Sequence, residues 1–178
     1  MKNTTVVLFV LLILLIGSAL QLRHYYPIVP DPLATHFGVG MQADSWSAKQ
    51  SFFTSYALIE IGMLIILLVP VFLQKRIPTS MINMPNREYW FAPQRSEKTW
   101  VKVSTFALWM AAVTLAFLIA VAEVMFRANL ANPTAPRLGV SFAWVVGGFI
   151  VVMLAGTLWF YRQFSRIPRD PNAPPVPE

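Results

Sequence analysis

Residues Thr4 to Leu22 read TTVVLFVLLILLIGSALQL, nineteen residues without a charge. A bilayer hydrocarbon core of about 30 Å needs roughly 20 mostly apolar residues to cross it as a helix, so this stretch predicts a membrane span. A lysine, a short apolar run and then Gly17, Ser18 and Ala19 also fit a signal peptide with its cleavage site; retention as a span is the expectation. Three further stretches have the same character: Phe53 to Gln74, interrupted only by Glu60; Val103 to Phe126, with Glu123 near its end; and Val140 to Phe164, with Arg162 at its exit. Lipid offers no partners to an open backbone, so such runs are helical. Continuous apolar runs exclude the short alternating segments of a β-barrel. The expected fold is all-α, an integral membrane four-helix bundle with a structured outer loop. It spans residues 1–166, with helices at about 4–22, 53–74, 103–126 and 140–164. Residues 167–178 (IPRDPNAPPVPE), with five prolines in twelve residues, predict a disordered cytoplasmic tail.

Composition agrees. Hydrophobic residues make up 56% of the 178 and charged residues 12%, about half the charged share of a soluble domain. The chain lacks cysteine, which excludes disulfides, thiolate metal sites and a cysteine nucleophile. Its net charge of +6 is compatible with nucleic acid, but most basic residues flank the apolar segments, where they set orientation. With the N-terminus inside, Lys2, Lys75, Arg76, Arg87, Arg95, Lys98, Lys102, Arg162, Arg166 and Arg169 are inside, while Arg23, Lys49, Arg127 and Arg137 are outside. Ten basic residues against four predict both termini in the cytoplasm.

The outer loop, Arg23 to Phe52, reads RHYYPIVPDPLATHFGVGMQADSWSAKQSF. A connection this long is uncommon unless functional or disordered. Tyr25, Tyr26, Phe37, Trp46 and Phe52 favour burial, Pro27, Pro30 and Pro32 stiffen the first half, and Gly38 and Gly40 suit turns at positive φ. A small folded cap is expected. It carries Asp31, His36, Asp44 and Lys49. One reading makes them a ligand, ion or divalent metal site, with His36, Asp31 and Asp44 as metal ligands. The other has Asp31 and Asp44 capping turns, His36 bonding a loop carbonyl and Lys49 snorkelling at the start of the second helix. No HxH or HExxH spacing supports the metal.

Glu60 and Glu123 both fall in the outer half of their helices. A carboxyl within a membrane normally faces a partner or water. Glu123 can pair with Arg127 four residues on; Glu60 would need a partner such as Lys49 or His36, or else bridge two helices in its neutral form.

The inner loop, Lys75 to Lys102, reads KRIPTSMINMPNREYWFAPQRSEKTWVK. Its basic and aromatic residues suit anionic inner-leaflet lipid or a cytoplasmic protein docking on Asn86, Arg87, Tyr89, Trp90, Phe91 and Arg95. Ser96 to Thr99 (SEKT) is placed to open the third helix with a cap. The membrane setting accounts for these charges without a nucleic-acid partner.

Two patterns carry a resemblance. The first is Tyr26-Pro27, Pro30-Asp31, Thr35-His36-Phe37, Gly40, Asp44, Trp46 and Lys49; the second is Pro85-Asn86-Arg87-Glu88-Tyr89-Trp90 with Pro93 and Arg95. Together they resemble the membrane domain of SdpI-like bacterial proteins, named for an immunity and signalling protein against a secreted toxin. The resemblance implies a multi-helix protein of the bacterial inner membrane with a sensing or toxin-immunity role, and supplies no catalytic residues. Three functions are therefore expected in order: a non-enzymatic sensor or immunity-like protein whose cap meets a peptide or ion; a metal-dependent membrane hydrolase using His36, Asp31, Asp44 and Glu60; and a small transporter or transporter subunit with Glu60 as a proton relay.

Overall fold

The computed structural model describes residues 2–73 and 76–168. Lys75, Arg169 and the proline-rich stretch from residue 169 onward, on which the charge count and the tail expectation partly rest, lie outside the described residues. In chain order the elements are α1 (Lys2–Tyr25), β1 (Leu33–Phe37), β2 (Ala43–Ser47), α2 (Lys49–Phe72), a 3-10 turn (Thr79–Met81), α3 (Arg87–Trp90), α4 (Ser96–Ala131) and α5 (Val140–Ser165). Among the described residues α1, α2, α4 and α5 are long and apolar enough to cross a membrane. Their outward faces carry side chains such as Phe9, Ile13, Ile66 and Val151, all more than half exposed, as suits helices surrounded by lipid.

α4 is the axis of the molecule. The extensive backbone approaches among the spanning helices are those of α1, α2 and α5 against α4. Alanines make the approach close: Ala111, Ala112 and Ala122 on α4 are buried. Small residues serve this purpose in membranes, where association rests on packing and polar contacts because lipid tails are as apolar as leucine. One apolar cluster joins Val7 and Leu11 of α1 to Leu108 and Leu115 of α4, with Leu64 and Leu67 of α2 against it. α5 lies apart on the other flank, held by stacked pairs Phe106–Phe160 and Phe117–Phe149 with ring centroids 4.3 Å and 4.1 Å apart.

At 36 residues, α4 is about 54 Å long. It begins before and ends after the expected limits of 103 and 126, because its terminal turns pack on folded polar structure at both ends. The expected cap at its start forms only in part: Ser96 opens the helix, but Arg95 is the N-cap residue and its side chain does not cap the first turn. Thr99 instead donates its hydroxyl to Trp90 O at 2.7 Å.

The outer-loop expectation of a folded cap holds, and its form is a β-hairpin. β1 and β2 are antiparallel, pairing Leu33 with Ser47, Ala34 with Trp46, His36 with Ser45 and Phe37 with Ala43. The linker between α4 and α5 runs along the free edge of β2: Ala43 N donates to Pro136 O at 3.0 Å and Leu138 N to Met41 O at 2.8 Å. Positive φ in the hairpin turn falls on Met41 (60°), and on neither Gly38 nor Gly40. At Gly38 the issue is space instead: a Cβ there would lie 2.6 Å from Asp44 Oδ2 and the carboxylate would have to shift. Of the loop aromatics, Tyr25 is buried and Phe37 and Phe52 pack against the same cluster, while Tyr26 and Trp46 stay exposed.

Candidate functional site

Three groups of polar side chains are assembled by this fold. The first is on the hairpin. His36 Nδ1 donates to Asp44 Oδ1 at 2.5 Å, and the two side chains are 70% and 51% exposed. Asp44 is the extra residue of β2 where the register shifts between the His36–Ser45 and Phe37–Ala43 pairs, and a bulge of this kind turns its side chain toward His36. Asp31 does not join them. Its Oδ1 accepts the backbone N–H of Lys49 at 3.0 Å, supplying the first turn of α2 with the anionic acceptor that its own N-cap residue, Ala48, lacks. Lys49 reaches back, its ammonium 3.4 Å from Val29 O and 5.3 Å from the centroid of the Tyr26 ring. The sequence candidates thus divide into an exposed His36–Asp44 pair and a structural Asp31–Lys49 link. Among the described residues no group of three or more histidine, aspartate or glutamate side chains is placed to hold a metal ion, so the set His36, Asp31, Asp44 and Glu60 is not gathered into one centre.

The second group lies within the bundle near the hairpin. Glu60, 6% exposed, has neither Lys49 nor His36 as its partner. Ser18 of α1 donates to it, with Oγ 2.7 Å from each carboxyl oxygen. Glu123 of α4 accepts from Gln21 Nε2 at 2.9 Å, from the Tyr25 hydroxyl at 2.8 Å and from Arg127 Nε at 2.6 Å. The pairing with Arg127 is as expected; the two bonds from α1 are additional. Ser18, Gln21 and Tyr25 fall at i, i+3 and i+7, one face of a helix. This polar stripe in an otherwise apolar span was legible by its spacing, but the sequence reading passed over it. Asn129, wholly buried, was also missed. Its Oδ1 accepts Ala34 N–H at 2.7 Å and its Nδ2 donates to Ala34 O at 3.1 Å and Met125 O at 3.0 Å. The side-chain amide acts as a strand partner for β1 and fastens the hairpin to α4. Beneath it, Tyr25 and Phe53 stack on Phe126 at 4.6 Å and 5.3 Å.

The third group, at the opposite end, closes α5. The last carbonyls of a helix have no partner within it. Here Asn86 Nδ2 donates to Phe164 O and Ser165 O, both at 3.0 Å, and Trp90 Nε1 donates to Phe164 O at 2.8 Å. Asn86 adopts the left-handed conformation, φ 51°, which asparagine tolerates better than other non-glycine residues. Arg95 lies over Tyr89, 3.9 Å from the ring centroid, and donates Nε to Tyr89 O at 2.9 Å. Arg87 donates to Ser80 O at 3.1 Å. The inner-loop candidates are therefore brought together as a platform in which the side chains of Asn86, Arg87, Trp90 and Arg95 donate hydrogen bonds within the chain.

Fold and polar groups define the class: a multi-pass, all-α membrane protein with a folded cap at one end and a folded platform at the other. A scan of protein-family models finds no match for the chain, and searches of curated proteins and of solved structures find none either.

Proposed function

We propose that this chain is a non-enzymatic sensor or toxin-immunity-like protein of the SdpI-like kind, set in a bacterial inner membrane with the hairpin cap outside and both termini in the cytoplasm. The cap meets a peptide or ion through the exposed His36–Asp44 pair, and the platform meets anionic lipid or a cytoplasmic protein. The observation that carries the reading is α4. One continuous helix is clamped to the cap through Asn129 and to the platform through Thr99, so displacement of the hairpin has a rigid route to the far end. The engaged state of Trp90 and Arg95 refines the partner surface: their replacement disturbs the platform itself, and contact with a partner falls to exposed neighbours such as Glu88 and Lys98.

The test is amide exchange in nanodiscs, wild type beside Asp44→Asn and His36→Ala. Transmission predicts that these exposed substitutions, which leave the buried clamp intact, change protection across Arg87–Trp90. A platform indifferent to both would remove the connection on which a sensor depends, and with it the reading.

A further inference from the structure

A groove of about 740 Å³ opens toward lipid between the start of α1, the first turns of α4 and the last turns of α5. Its volume is in the range of built small-molecule sites. Polarity runs along its length. At the platform end lie Lys102 and Gln163, with the Thr4 and Thr105 hydroxyls bonded to each other at 3.0 Å across α1 and α4. About 10 Å further into the membrane, two helical turns along either helix, lie Trp109, Met110 and Gly156, with Trp159 between. Gly156 leaves the floor open, since a Cβ there would come within 3.1 Å of Met110 Cε. Lys102 immediately precedes the apolar run that begins at Val103, so its ammonium sits at headgroup depth. Among the described residues no acidic side chain lines the groove.

We infer that this groove is a binding site for one anionic phospholipid, with its phosphate against Lys102 and Gln163 and an acyl chain laid between Trp109, Met110 and Trp159. The order of polar and apolar groups along the groove is that of a lipid entering from the bilayer surface, and Lys102, its ammonium 5.7 Å from the centroid of the Trp90 ring and facing no carboxylate among the described lining residues, selects negative charge. This is distinct from diffuse attraction of lipid to the basic platform, and it does not depend on the sensor reading.

The experiment is native mass spectrometry of the full chain released from nanodiscs of mixed phosphatidylglycerol and phosphatidylcholine. One phosphatidylglycerol is expected to remain bound per chain, in preference to phosphatidylcholine, and inorganic phosphate should not displace it. Lys102→Gln should cut the preference about fivefold, while Arg162→Gln, at similar depth but outside the groove, should leave it unchanged. In the wild type, phosphatidylglycerol with a photoactivatable acyl chain should label Trp109, Met110 or Trp159. Equal retention of both lipids, an equal effect of Arg162→Gln, displacement by phosphate alone, or label scattered over outward residues such as Trp144 and Val151 would each overturn the site. The labelling needs no substitution and decides the matter even where a variant does not fold.

Discussion

At the scale of single residues, Asn129 has the clearest consequence. It satisfies both backbone groups of Ala34, itself fully buried. A buried donor or acceptor left without a partner costs roughly 1–3 kcal/mol. Asn129→Ala orphans an N–H and a carbonyl together, so the hairpin should open locally while the spans stay in place. Amide exchange across Leu33–Phe37 is expected to accelerate about tenfold or more, the lower end of that cost, with α1 and α5 unaffected. Asn129→Asp keeps the acceptor for Ala34 N–H and loses the donor, so it should fall between wild type and alanine. Equal protection of the hairpin in all three proteins would mean that the aromatic cluster around Phe126 alone holds the cap.

At the scale of elements, the C-terminus of α5 depends on a segment far away in sequence. Asn86 contributes both a left-handed backbone and two hydrogen bonds to the last carbonyls, and substitutions separate the two. Asn86→Gly keeps the conformation and loses the bonds, at a cost of about 1 kcal/mol for each bond lost. Asn86→Ala loses the bonds and adds the left-handed penalty of roughly 1–2 kcal/mol. Thermal unfolding in detergent should rank wild type above glycine above alanine; alanine equal to glycine would show that the backbone conformation at Asn86 carries no cost. The four spans were legible because lipid imposes a length and a continuous apolar composition, which Thr4 to Leu22 displays without any tertiary information. The partners were less legible. Glu60 and Ser18 are 42 positions apart, and nothing in either segment says that the two faces meet. The stripe Ser18, Gln21, Tyr25 was readable as a helical face, but the hairpin was not: three prolines and a broken alternation conceal β1, and its outer neighbours include a linker beyond α4. The inner-loop residues lie close together in sequence, yet which carbonyls they serve depends on where α5 ends.

At the scale of the whole molecule, the axis through α4 sets which parts share an end of the bundle, and the distribution of basic charge predicts which side of a membrane each end takes. The hairpin and the α4–α5 linker lie at one end, joined by the backbone bonds of Ala43 and Leu138; the platform and the end of α5 lie at the other, joined by Asn86 and Trp90. A chain that crosses four times therefore has only two orientations, and the excess of lysine and arginine beside the platform end favours the cytoplasm for it. Because the chain has no cysteine, single reporters can be introduced without background. Val39→Cys at the fully exposed hairpin tip and Glu88→Cys on the exposed surface of the platform disturb none of the bonds described. In intact cells a membrane-impermeant maleimide should label Val39→Cys and spare Glu88→Cys until the membrane is permeabilised. The reverse pattern would place the cap in the cytoplasm. The His36–Asp44 pair would then be unavailable to an external peptide or ion, and the groove beside Lys102 would open to the outer leaflet, so one labelling experiment bears on the direction of sensing and on the source of the lipid together.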